Sequence, residues 1–277
     1  MRTYCLPSGR SIPALGLGTW GMGENAKQRP QEVAALKRGL ELGMTLIDTA
    51  EMYAEGGAEQ VIAEAIAGQR QNIFLVSKVY PHNATHQGTI AACERSLQRL
   101  NTDYLDLYLL HWPGATPIAE TLQAFQELKQ TGKIRDYGVS NFDKAGMAAA
   151  KSAPGGEAIA TNQVLYNLAR RGVEWDLLPW CREHQIPVMA YSPIEQGRLL
   201  KNRQLQAIAQ QKAATPAQVA IAWLLHQDQV IVIPKASSID HVEQNRATLD
   251  LQLSKDDLAT LDTAFPPPTS PKALEML

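Results

Sequence analysis

The sequence predicts a closed (β/α)8 barrel, and three observations support this. Eight short apolar runs have the length and punctuation of buried strands. Helical patterns lie between them, at a spacing of roughly 30 residues per unit. An open doubly wound sheet would show the same alternation, but the count of eight favours closure. One domain over residues 1–277 is expected, because no long linker or low-complexity segment interrupts the chain.

The elements follow in order. Arg2–Leu6 and Arg10–Pro13 flank Pro7-Ser8-Gly9 and read as a hairpin placed to close the N-terminal end of the barrel. The strands are Ala14–Gly18, Met44–Asp48, Ile73–Lys78, Tyr104–His111, Ile134–Asn141, Ala158–Gln163, Pro187–Ser192 and Val230–Lys235. Pro30 opens a helix with Val33, Leu36 and Leu40 on one face and Gly43 beyond its end. Thr116-Pro117 supplies a cap and first residue before Ile118, Leu122, Phe125 and Leu128. Thr215-Pro216 repeats that signature, and Ser254 with Asp257 has capping-box spacing. Cys93 falls on the apolar stripe Ile90, Cys93, Leu97, Leu100 and reads as a core filler. Pro266–Pro268 reads as a short tail leaving the last helix.

Composition narrows the function. Lys plus Arg is 26 against 28 for Asp plus Glu, a net charge of −2, which argues against a nucleic-acid binder. Apolar residues are 45% and charged residues 19%, ordinary for a packed domain and wrong for disorder. No apolar run reaches the roughly 18 residues of a membrane span, so no membrane partner is expected. The three cysteines, Cys5, Cys93 and Cys181, have no framework spacing, which fits reduced thiols in the cytoplasm. A closed barrel has no long unpaired edge, so a monomer is expected.

The apolar runs end in a telling way. Seven consecutive strands finish in polar side chains: Asp48, Lys78, His111, Ser140-Asn141, Asn162-Gln163, Tyr191-Ser192 and Lys235. In a barrel those ends converge on the face where active sites sit. Tyr53 follows Asp48 in the next loop. An Asp beside a Lys orients the ammonium, and a Lys beside a phenol should lower the phenol from its ordinary value of about 10. Such a phenol can protonate a carbonyl oxygen, and a neutral His can orient it. Nothing in the set supplies two electrons, so a hydride-carrying cofactor is implied. Ser140, Asn141 and Gln163 could hold an amide, Tyr191 could stack on a flat ring, and Lys235 could meet a phosphate.

These residues resemble the aldo-keto reductase family. The resemblance lies in Leu46-Ile-Asp-Thr-Ala-Glu-Met-Tyr53, Gly56-Gly-Ala-Glu59, Val76-Ser-Lys78 and Tyr104–Trp112. It continues through Gly132-Lys-Ile-Arg135, Gly138-Val-Ser-Asn-Phe142, Asn162-Gln163, Ala190-Tyr-Ser-Pro193 and Ile233-Pro-Lys235, in family order. Within the family the chain most resembles small bacterial members that reduce methylglyoxal and other short aldehydes, a detoxifying role. The resemblance implies a (β/α)8 barrel that uses NADPH, with NADH as a weaker alternative, to reduce a small aldehyde or dicarbonyl. It implies Tyr53 as general acid, Lys78 and Asp48 as its tuning pair, and His111 as the carbonyl orienter. Ser140, Asn141 and Gln163 would take the nicotinamide carboxamide, with Tyr191 on the ring and Thr19, Trp20 and Asp48 beside it. Ser192, Pro193, Ile194, Gln196 and Gly197 would follow the pyrophosphate. Lys235, Ser237, His241, Gln244 and Asn245 would surround the adenosine end. Trp20, Tyr53, His111 and Trp112 would meet the substrate.

One departure bears on cofactor choice. His241 stands where NADPH-preferring members commonly carry an Arg, and Ala236 where a Ser is common. Arg grips a phosphate in two-pronged fashion and His does not, so a weakened NADPH preference resting on Lys235 is expected. The short loop after Trp112 and the short tail after Phe265 predict an open pocket for small or varied aldehydes. The same barrel could instead serve as a nucleotide-holding redox sensor, but the intact Asp-Tyr-Lys-His set favours turnover. A glycosidase needs paired carboxylates, and only Asp48 fits that place. Gly16-Leu-Gly18-Thr-Trp-Gly21 matches a dinucleotide pattern but lacks the long strand and following helix, so it reads as a tight strand end. His82 and His86 sit in a loop without a third ligand, so no metal is expected.

Overall fold

The computed structural model describes residues 1–277. Strands β1 (Thr3–Cys5) and β2 (Ser11–Pro13) form the expected antiparallel hairpin. Then follow β3 (Gly16–Gly18), α1 (Arg29–Glu41), β4 (Leu46–Asp48), α2 (Gly57–Ala65), β5 (Phe74–Val79), α3 (His86–Leu100) and β6 (Leu105–Leu110). After these come α4 (Ile118–Gln130), β7 (Ile134–Ser140), α5 (Lys144–Ser152), β8 (Ile159–Leu165), α6 (Leu177–Glu183) and β9 (Val188–Tyr191). The chain continues through α7 (Arg203–Gln211), α8 (Pro216–His226), β10 (Val230–Val232), α9 (Ile239–Ala247) and α10 (Lys255–Ala264).

Strands β3 to β10 form one parallel eight-stranded sheet, each hydrogen-bonded to its neighbour in sequence. The first and last strands meet through single bridges, Leu15 to Val232 and Gly18 to Lys235, which shut the barrel. Gly18 is required there: a Cβ would stand 2.7 Å from the Ile233 carbonyl oxygen.

The strands read as apolar runs because both of their faces are covered. One face packs under the helices in a large core that includes Ile47, Leu75, Tyr108, Val139 and Trp223. The other fills the barrel interior with Leu46, Phe74, Val76, Leu107, Leu109, Met189, Ile231 and Ile233. Leu6 and Ile12 of the hairpin join that interior cluster and plug its lower end. Arg10 holds the plug by pairing with Asp106 at 2.6 Å and Asp136 at 3.2 Å.

Helix starts follow the capping signals with one exception. Thr215 caps α8 and Ser254 caps α10, both as full capping boxes. Thr116, read as a cap, does not serve α4: Pro117 occupies that position with extended ψ, and no side chain caps the helix. Cys93 is fully buried, as expected of a core filler. The tail beyond Phe265 does not simply leave the last helix. It folds back, Leu274 packs against the core, and Glu275 pairs with Arg170.

Candidate active site

Side chains alternate along a strand, so the interior register continues upward in steps of two. Leu46 leads to Asp48, Val76 to Lys78, Leu109 to His111, Met189 to Tyr191, and Ile233 to Lys235. The candidate residues are therefore the next layer above the apolar interior. That stepping was visible in the sequence and is a sharper signal than strand ends alone. Gln163 departs from it. It lies three residues beyond the interior Ala160 and two before the end of β8, and the β7–β8 register is irregular there.

The centre is a sealed polar network. The Lys78 ammonium, fully buried, donates to Asp48 Oδ2 at 2.8 Å, the Thr49 carbonyl at 2.8 Å and the Tyr53 hydroxyl at 3.2 Å. Asp48 Oδ1 accepts from Gln163 Nε2 at 2.7 Å. All three ammonium protons have acceptors, which is what a buried Lys requires. Tyr53 stands at the start of a single turn, Tyr53–Gly56, that opens α2. Ala54 and Glu55 there have φ of 51° and 53°, a left-handed pair that costs about 1–2 kcal/mol per residue. The turn is therefore held by its surroundings.

His111 follows β6 directly and packs edge-on to Tyr53, ring centroids 5.8 Å apart. Burial, reinforced by the Lys78 charge, lowers its pKa to about 2, so the imidazole is neutral. Its Nδ1 is sealed without a hydrogen-bond partner, which leaves Nε2 as the nitrogen open to a ligand. Burial pushes the Tyr53 phenol up, and Lys78 pulls it back without cancelling that effect, with Asp48 opposing Lys78. The expected fall below the ordinary value is thus corrected: desolvation outweighs the ammonium. For Lys78, burial favours the neutral amine, but Asp48 and Tyr53 outweigh it and raise its pKa.

Above this network lies a cleft of about 570 Å³. Thr19, Trp20, Asp48, Tyr53, His111 and Trp112 line one part of it. Ser140, Asn141, Gln163 and Tyr191 line the floor, and Ser192, Pro193, Ile194 and Gln196 one rim. Lys235 and Asn245 line the far end. The polar floor is cross-linked: Asn141 Nδ2 donates to the His111 carbonyl at 3.0 Å, and the Tyr191 hydroxyl donates to Asn141 Oδ1 at 3.0 Å. Ser140 Oγ donates to the Gln163 carbonyl at 2.8 Å. Gln163 Oε1 takes no protein donor, so it remains open to an amide N–H.

Some expected residues stand outside the lining. Lys78 acts from beneath it. Gly197, Ser237, His241 and Gln244 are not in the cleft wall. Ser237 Oγ lies 3.3 Å from Lys235 Nζ, and His241 is exposed on the first turn of α9. His82 stacks on Tyr80 and His86 pairs with Glu127. Sequence reasoning missed Met52, Ile233, Pro234, Met276 and Leu277 as lining residues. The last two correct the expectation that little chain remained to cover the site: the returning tail places them in its wall.

Residues 14–265 match the family model described as the Aldo/keto reductase family. The chain is 57% identical over 272 residues to the Escherichia coli protein named methylglyoxal reductase YeaE, covering 96% of each. It is 34% identical over 265 residues to glyoxal reductase of Bacillus subtilis, covering 94% of this chain and 91% of that one. Among solved structures, an aldo/keto reductase from Klebsiella pneumoniae in complex with NADP and acetate superposes with a TM-score of 0.97. It is 51% identical and is matched over 99% of both chains.

Proposed function

The chain belongs to the aldo/keto reductase family, and from that premise we propose that it reduces small aldehydes and ketoaldehydes of the methylglyoxal kind to alcohols. The observation that carries this reading is the Tyr53 hydroxyl, held by a buried Lys78–Asp48 pair at the base of an apolar-lined cleft beside a neutral His111.

The donor set fits a nicotinamide dinucleotide. Gln163 Oε1, Asn141 and Ser140 would hold a carboxamide, the Tyr191 ring would lie against a flat heterocycle, and Lys235 would meet a phosphate. When bound, NADPH supplies hydride to the carbonyl carbon. Everything else falls to the chain. Tyr53 gives its proton to the carbonyl oxygen as negative charge grows there. Lys78 stabilises the phenolate that remains, and Asp48 holds Lys78 in place. His111, neutral and with its proton on Nε2, donates to the same oxygen and fixes its direction. Because burial keeps the phenol protonated, the acid is ready throughout the neutral range. Lys235 carries a preference for NADPH over NADH that is weaker than it would be with an Arg in place of His241.

The test is steady consumption of NADPH, followed by absorbance, with methylglyoxal and a panel of short aldehydes. Many turnovers per protein are expected. A protein that binds NADPH and turns over none of them would be a nucleotide-holding regulator instead.

A further inference from the structure

We propose that Arg170 is a positioning residue that clasps the Ser192–Gly197 loop to the returning tail, and that the clasped tail forms part of the wall holding the aldehyde. This rests on the reading under Proposed function and extends it: filling the cofactor end would fix the wall against which the aldehyde is held.

Two arms of the clasp are built differently. On the cofactor side, Glu195 is almost fully buried in the segment Ser192–Gly197. Arg170 Nε and Nη2 both donate to Glu195 Oε1, at 3.0 and 2.9 Å. Asn167 Nδ2 donates to Glu195 Oε2 at 2.8 Å and to the Ser192 carbonyl at 2.9 Å. The Asn167 Oδ1 accepts from the Arg170 backbone N–H at 3.1 Å, so one turn after β8 holds both partners. The segment needs holding. Ser192, Glu195 and Gln196 have φ of 53°, 51° and 53°, a conformation that side chains disfavour. Ser192, Ile194 and Gln196 line the cleft from this segment.

On the other side, Arg170 Nη1 donates to Glu275. The two residues that follow, Met276 and Leu277, line the same cleft. An isolated surface pair would bind the tail weakly. Here the guanidinium is already aimed by its fork into a buried carboxylate, so Glu275 docks on a partner whose place is set from the cofactor side.

The experiment uses the full chain, with Glu275→Ala and Arg170→Met alone and combined. NADPH affinity is read by fluorescence titration, methylglyoxal KM and kcat by steady-state rates, and tail mobility by tryptic cleavage after Lys272. In the native protein, saturating NADPH is expected to slow that cleavage, and in neither variant. Glu275→Ala is expected to raise the aldehyde KM about 3–10-fold, with kcat and NADPH affinity within about twofold. Arg170→Met is expected to weaken NADPH as well, and Glu275→Ala to add nothing further in that background. Glu275 is on the surface, so its variant decides the matter even if Arg170→Met, which leaves buried Glu195 with only Arg198 and Asn167 as partners, fails to fold. A native protein that binds NADPH but is cleaved equally with and without it overturns the clasp and leaves the functional reading standing. So does an aldehyde KM unchanged by Glu275→Ala. A native protein that does not bind NADPH overturns both.

Discussion

At one end of the cleft, Asp48, Lys78 and His111 are buried near strand ends, with Asp48 and Lys78 tied to one another at 2.8 Å and the His111 carbonyl held by Asn141 at 3.0 Å. At the other, Lys235 stands exposed in water on a loop, and His241 is exposed on the first turn of α9, outside the cleft wall. Where a proton must move along one line, the polar groups are desolvated and their geometry is fixed by the sheet. Where a charge need only be attracted, solvent-exposed side chains suffice, and each contributes little. The two ends should therefore respond to substitution on different scales.

The largest effect is expected at the proton donor. Tyr53→Phe should lower kcat for methylglyoxal by about 10²–10⁴ while NADPH affinity, read by fluorescence, stays within about twofold. A variant with near-native kcat would remove Tyr53 from the chemistry. Next comes the buried pair. Lys78→Met leaves the Asp48 carboxylate sealed without its cation, and should cost about 3–5 kcal/mol in denaturant unfolding as well as activity. Adding Asp48→Asn should recover much of that stability and none of the rate. Recovery of both would mean that the pair is only structural.

His111 gives a pH signature. Its folded pKa is about 2 against an ordinary 6.5. Between those values the unfolded chain takes up a proton that the folded one refuses. Stability should therefore be untouched by this group above pH 6.5 and fall as pH drops below it, by up to about 1.4 kcal/mol per pH unit. His111→Gln should flatten that part of the profile, and an unchanged slope would mean that the imidazole protonates in the fold. The smallest effects belong to the exposed end. Lys235→Ala should weaken NADPH by roughly 1 kcal/mol, less at high salt, and leave NADH unchanged. His241→Arg should move the preference several-fold toward NADPH, because a guanidinium grips phosphate with two parallel bonds.

The barrel was legible because strands covered on both faces must be apolar, and the site because charges such as Asp48 and Lys78 interrupt such runs so sharply. The places where the reading slipped share a cause. Met276 and Leu277 reach the cleft because Leu274 packs on the core and Arg170 holds Glu275, a contact between residues 105 apart in sequence. The direction of the Tyr53 shift depends on how completely it is desolvated, and a sequence shows the nearby Lys but not the burial.

The bridge between Gly18 and Lys235 also governs the order of assembly. It joins the first barrel strand to the last, so the barrel cannot shut until Val230–Lys235 has been synthesised and docked. Contacts of such long sequence separation form slowly. Until then β3 and β9 each present an unpaired edge, and the Lys235 end of the cleft lacks one wall. The intermediate most exposed to wrong pairing is thus an open seven-stranded sheet, and a ligand that spans the seam would hold it shut once made.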